Sequence, residues 1–212
     1  MLKYFVFALV FNVSPLFANV VLKSVGQVGQ KVITSREVQI SAVIESVLQQ
    51  QKSEKIEFRI PDLKSATFQM ELSRVLLEKS AENESKLFNV IDLSDSEISN
   101  SLELIEKVVA LNVDWKKLDV QASEVKDIVK RKLTAKKFIR FRTSSMSSIV
   151  TDSEALQYYE NNRLKFGSLP YEGFKDNIKS FLSQQILEER LRSWFDVLKK
   201  KNEARAFNSG SE

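Results

Sequence analysis

The chain contains no histidine and no cysteine among its 212 residues. Ser–His and Cys–His nucleophile pairs, thiolate ligands and histidine-containing metal sites are therefore excluded together. Carboxylates are plentiful, but pairs such as Glu188–Glu189 sit in helical sequence, where solvated acids are ordinary, and nothing marks a general acid–base pair. Gly26-Gln-Val-Gly29 lacks the third glycine and the lysine of a phosphate-cradling loop. The expectation is a protein that is not an enzyme, with no catalytic residue, no metal and no cofactor.

What these residues can do is bind. Lys130, Arg131, Lys132, Lys136, Lys137, Arg140 and Arg142 crowd one segment with no acidic residue among them. They read either as a positive wall toward acidic chains or anionic surfaces, or as a solvated helix face beside acidic neighbours, and the second is the plainer reading. Phe138, Phe141, Met146 and Ile149 follow in the same stretch. Aromatic and methionine side chains bury large areas without demanding fixed partners, so these four are candidate contacts for an apolar client, or else core. Tyr158 and Tyr159 are adjacent, so they point to different sides of a helix and one of them is buried.

These groups must be carried by helices. Thr34 and Glu37 form a capping-box pair ahead of Ile40, Val43, Ile44, Val47 and Leu48, the stripe of a helix with one buried face. Phe68, Leu72, Val75 and Leu76 mark a second helix, ending in polar Ser80 to Lys86. Ser94 and Glu97 open a third, with Ile98, Leu102, Ile105, Val108 and Val109 on its face. Asn112 to Leu118 starts a short one packed through Trp115 and Leu118. Val125, Ile128, Val129 and Leu133 begin a longer one that runs to about Phe141 and breaks at Thr143 to Ser148. Thr151 and Glu154 give another capping box.

Pro170 stands ahead of the last helix, whose stripe runs Phe174, Ile178, Phe181, Leu182, Leu187, Leu191, Trp194, Phe195 and Leu198 over about 40 Å. Strand signals are few. Val20 to Val25 and Lys31 to Ile33 flank a glycine-containing loop, as in a hairpin. Lys55-Ile-Glu-Phe-Arg-Ile60 alternates before Pro61 as a short strand or extended arm, and Glu203 to Phe207 reads as a short strand.

Met1-Leu-Lys3, the apolar Tyr4 to Val13 and the small residue Ala18 compose a secretory signal peptide, cleaved near Ala18. The apolar run is too short to span a bilayer, and no later stretch is long and apolar enough, so no stable membrane span is expected after cleavage. The organisation is thus a signal peptide over 1–18, one helical domain over 19–207 and a tail over 208–212. The net charge of +4 is mild, and export makes nucleic acid an unsuitable partner.

The order of these elements resembles periplasmic chaperones of the SurA and PpiD type. The residues that carry the likeness are the hairpin and capped helix from Val20 to Leu48, then Leu93-Ser-Asp-Ser-Glu-Ile98 with Val113-Asp-Trp-Lys-Lys-Leu118 and the basic helix through Ile139. The most specific is Val150-Thr-Asp-Ser-Glu-Ala-Leu-Gln-Tyr-Tyr-Glu-Asn-Asn162 with Lys165-Phe166 and the closing helix. In that family a parvulin prolyl isomerase domain follows this point. Here Gly167-Ser-Leu-Pro170 leads straight to the closing helix, and the histidines on which parvulin sites rely are absent.

The resemblance implies a mainly α fold, a SurA N-terminal-like module with a small β-hairpin, whose long C-terminal helix packs back on the N-terminal helices while the C-terminus adds a strand. It implies a periplasmic, ATP-independent holdase for unfolded polypeptides or outer-membrane protein precursors, without isomerase activity. The alternative is a dedicated envelope assembly module for one protein partner. A homodimer formed by exchange of the C-terminal helix is a further expectation.

Overall fold

The computed structural model describes residues 22–53, 55–146 and 149–207. The expected signal peptide and the tail lie outside the described residues. The fold is mainly helical, with a small antiparallel sheet near the N-terminus and a long C-terminal helix.

Strand β1 (Ser24–Val28) pairs with β2 (Lys31–Thr34). The hairpin turn is tighter than the sequence reading, which placed the whole of Gly26 to Gln30 in the loop. Gly29, at φ +54°, makes the turn, and Val28 lies opposite Lys31 in the ladder. Gly26 instead lies inside β1. A Cβ there would fall 2.9 Å from the Arg205 carbonyl oxygen, because β3 (Arg205–Ala206) crosses at this point. The strand order is β2-β1-β3, so the C-terminus completes the sheet that the N-terminus begins. Gly29 N–H donates to the Asn202 carbonyl and Phe207 N–H to the Val25 carbonyl, both at 2.8 Å.

Helix α1 (Ser35–Gln49) starts at Thr34, whose hydroxyl accepts from Glu37 N–H. Only this half of the expected capping box forms, because the Glu37 carboxylate is taken by Lys79 and Arg131. Helix α2 (Ala66–Phe88) is capped by Ser65 and passes straight through the polar stretch expected to end it. Ser80, Ala81 and Ser85 are buried there. Small side chains let neighbouring helices close on α2, and the turn comes only at Asn89, which takes the left-handed φ of +48°. Helices α3 (Asp95–Val109), with a full Ser94–Glu97 capping box, α4 (Val113–Lys117) and α5 (Ala122–Met146) follow. Residues 55–60 form no strand but an extended arm: Ile56, Phe58 and Ile60 pack on the core that α1, α3, α4 and α5 build around Ile44, Ile105 and Trp115.

The last helix, α8 (Lys175–Lys201), spans about 40 Å. It packs back on the N-terminal helices: Leu198 is buried with Ala81 of α2 and with Ala135 and Phe138 of α5. Asn83 donates to Asn202, and Lys201 pairs with Glu84 at 2.7 Å.

The α1–α2–α5 junction is charged as well as buried. Lys132 is buried, and its ammonium reaches Glu78 at 2.8 Å, Glu45 at 2.9 Å and Glu71 at 3.2 Å. Arg131, equally buried, donates to Glu37 at 2.6 Å and Glu78 at 3.3 Å. Ser41 donates to Glu71, and Arg74 and Lys79 close the rim on Glu71 and Glu37. The expectation that Arg131 and Lys132 belong to a basic surface is therefore corrected: both point into the bundle, where four cations meet four carboxylates. Burial works against the Lys132 ammonium, but the surrounding carboxylates outweigh it and raise its pKa. Burial likewise presses on Glu45, where Lys132 wins and the pKa falls. At Glu78 burial dominates and pushes the carboxyl up.

Candidate functional site

Beyond the bundle, α8 is sheathed differently. Its first turns meet α6 (Asp152–Asn161), which begins at a complete Thr151–Glu154 capping box. Ala155 and Tyr159 of α6 are buried against Ile178 of α8. Between them the chain makes α7 (Arg163–Phe166), turns at Gly167 with φ +59°, and passes Pro170 into one 3₁₀ turn, Tyr171–Gly173. Tyr159 O–H donates to the Leu169 carbonyl and Tyr171 O–H to the Asp152 carbonyl, fixing this connection to α6.

The result is an aromatic cluster. Tyr159 stands 5.0 Å from Phe166 and 5.5 Å from Tyr171, Phe166 stands 5.2 Å from Phe174, and Tyr158 stands 5.6 Å from Phe181. These are the separations at which ring pairs attract beyond their buried area. Of the two tyrosines, Tyr159 is the buried one, and Tyr158 remains half-buried. The rings do not fill the space they enclose. A cleft of about 250 Å³ opens between Tyr158, Phe166, Phe174 and Phe181, with Ile178, Lys165 and Asn177 completing its lining. Phe181 is 45% exposed, so the cleft is accessible. A second cleft of about 270 Å³ shares Tyr158 and is lined by Val150, Leu182 and Ile186 among others.

Asp152 holds the two helices together. It sits in the first turn of α6 and pairs with Lys175 and Lys179 of α8. Those two ammonium groups lower its pKa from 3.8 to about 2. Because folding lowers this value, the pairing stabilises the α6–α8 contact above pH 3.8, and that contribution is lost as the pH falls toward 2. A carbon-13 titration of the Asp152 carboxyl will give a midpoint near 2 in the intact protein. A midpoint at the ordinary aspartate value would mean the pair does not form in solution.

The residues expected to bind clients are divided by the structure. Phe138 is fully buried, packed between Phe88 at 5.9 Å, Trp194 at 6.0 Å and Phe141 at 6.4 Å, and so cannot touch a ligand. Phe141 is 42% exposed above it. Met146 ends α5 half-buried, its carbonyl accepting from Arg190. Ile149 is almost wholly exposed. The basic residues divide as well. Lys130, Lys136 and Arg140 are exposed and make no ion pair among the described residues. Lys137 ties α5 to α3 through Glu97 at 2.6 Å and the Asp92 carbonyl. Arg142 lies over the Trp194 ring at 5.6 Å.

The α6–α8 cleft was not predicted from the sequence, although Tyr158 was singled out. The signal lay in Phe166, Phe174 and Phe181, three aromatics within sixteen residues around a glycine turn. Among the described residues no group of three or more acidic side chains is placed to hold a metal ion, those around Lys132 being gathered on its ammonium, and no helix is long and apolar enough to cross a membrane. Compared with known proteins, the chain matches no family model, no curated sequence and no solved structure.

Proposed function

We propose that this protein is an ATP-independent periplasmic holdase of the SurA type, binding unfolded polypeptides, outer-membrane protein precursors among them, without isomerase activity. The observation that carries the reading is the half-open aromatic cleft on α8, a helix anchored to α6 at one end and to α2 and α5 at the other. Aromatic walls bury large apolar areas at little cost in side-chain order, and they impose no fixed array of polar partners. A holdase needs that combination: broad, weak affinity for many apolar segments. The exposed cations Lys130, Lys136 and Arg140 would speed encounter with acidic chains without setting affinity. The order of sequence elements shared with SurA-type chaperones supports the compartment as well as the activity.

The test is aggregation. An unfolded outer-membrane β-barrel protein, diluted from urea, will scatter less light in the presence of a stoichiometric amount of this protein, and ATP will not change the result. Unchanged scattering would defeat the proposal. A pull-down from envelope extracts that returned one stoichiometric partner, in place of many clients, would replace it with the dedicated assembly module.

A further inference from the structure

We propose that the α6–α8 cleft is a receptor for the C-terminal end of a polypeptide, taking the last apolar side chain between its rings and the free carboxylate on Lys165. This rests on the peptide-binding reading above and names the part of the client that the cleft holds. Three observations lead to it.

The first is size. Clefts that take up whole small molecules run roughly 300–1,000 Å³, whereas this one is about 250 Å³. It suits a single side chain better than a long acyl tail or a cofactor. The second is the wall chemistry: Tyr158, Phe166, Phe174 and Phe181 offer ring faces and edges, so the inserted group must be apolar. The third is charge. Lys165 lines the cleft with its ammonium 5.9 Å from the Tyr158 ring centroid and makes no ion pair among the described residues.

The neighbouring cations are otherwise engaged. Lys175 and Lys179 are held by Asp152, and Arg163 lies over the Tyr159 ring and donates to the Leu169 carbonyl. An ammonium with no carboxylate partner among the described residues, lining an apolar cleft, complements an anion attached directly to an apolar group, and Asn177 in the same lining supplies an amide. A chain terminus carries both features on one residue. An internal acidic side chain would have to bend back from its apolar neighbour and keep the chain continuous through both sides of the cleft.

Fluorescence anisotropy with three labelled peptides of one sequence tests this: one ending in leucine with a free carboxylate, one ending in leucine amide, and one ending in leucine amide with an internal aspartate before it. A charge-assisted contact distinguishes the first from the second by about tenfold in affinity. The third will bind like the second. Lys165→Gln, an exposed position whose replacement leaves the fold intact, will remove the difference without abolishing binding. Phe181→Ala will weaken all three. Equal affinity for the free acid and the amide overturns the proposal, as does a preference that survives Lys165→Gln. Displacement of the free-acid peptide by octanoate at equal concentration also overturns it, in favour of a lipid ligand. If aggregation is suppressed but no carboxylate preference appears, only this inference falls. If the preference appears without suppression, only the holdase reading falls.

Discussion

Replacing Lys132 with alanine will lower the unfolding free energy by about 3–5 kcal/mol, since it takes from the buried Glu71 and Glu78 the one cation they share. Among the described residues Lys132 is the one side chain that touches Glu45, Glu71 and Glu78 together, and hence joins α5 to both α1 and α2. With the ammonium gone, Glu78 keeps only the longer 3.3 Å contact to Arg131 and Glu71 only the rim pair with Arg74 and the Ser41 hydroxyl, in a site where burial already pushes the Glu78 carboxyl up. A charge-free replacement separates this cost from the value of the network itself. The Lys132→Met, Glu78→Leu pair removes one charge of each sign and keeps apolar volume, and will recover most of the lost stability. Urea unfolding followed by circular dichroism gives both numbers. A loss below about 1 kcal/mol for Lys132→Ala would mean that water reaches the network and that the charges behave as surface pairs.

The second large effect concerns two phenylalanines three residues apart. Phe138→Ala will cost about 3–5 kcal/mol, the range for emptying a large buried aromatic site, because Phe138 is wholly enclosed by α2, α5 and α8. Phe141→Ala, at a half-exposed ring, will cost under about 1 kcal/mol. The pair also divides function from structure. Any loss of client binding in Phe138→Ala will track unfolding, since that ring has no access to a ligand. A Phe138→Ala protein that stays folded with unchanged stability would show that this part of the bundle is not packed as described.

Much of the fold was legible in the sequence because it follows local rules. The Ser94 and Thr151 caps and the helix stripes each depend on residues close in the chain or on one period of hydrophobicity. The helix ends were harder. α5 runs on to Met146, with the hydroxyls of Thr143, Ser144 and Ser145 donating back to carbonyls of their own helix, so a serine-rich stretch that reads as a break is helical. α2 continues past Ser80 because its small residues are what α8 packs against.

The charge network was illegible for another reason. Arg131 and Lys132 meet partners 53 to 94 residues away, and a run of like charges gives no hint of acids that distant. The clue was on the acids: Glu37, Ser41 and Glu45 recur every fourth residue along α1, and Glu71 and Glu78 are one heptad apart, on the faces that bury. The cleft was hidden likewise, since Tyr158 meets Phe181 only after the Gly167 turn and the Tyr171–Gly173 turn bring α8 to α6.

Placing a photo-reactive benzoylphenylalanine at Phe181, and separately at Lys130 on the far part of α5, puts the central claim to the most direct test. With an unfolded outer-membrane protein as client, the account predicts strong crosslinking at position 181, competed away by an apolar peptide, and little at position 130. Equal crosslinking at the two positions, or none at 181 while aggregation is still suppressed, would contradict it.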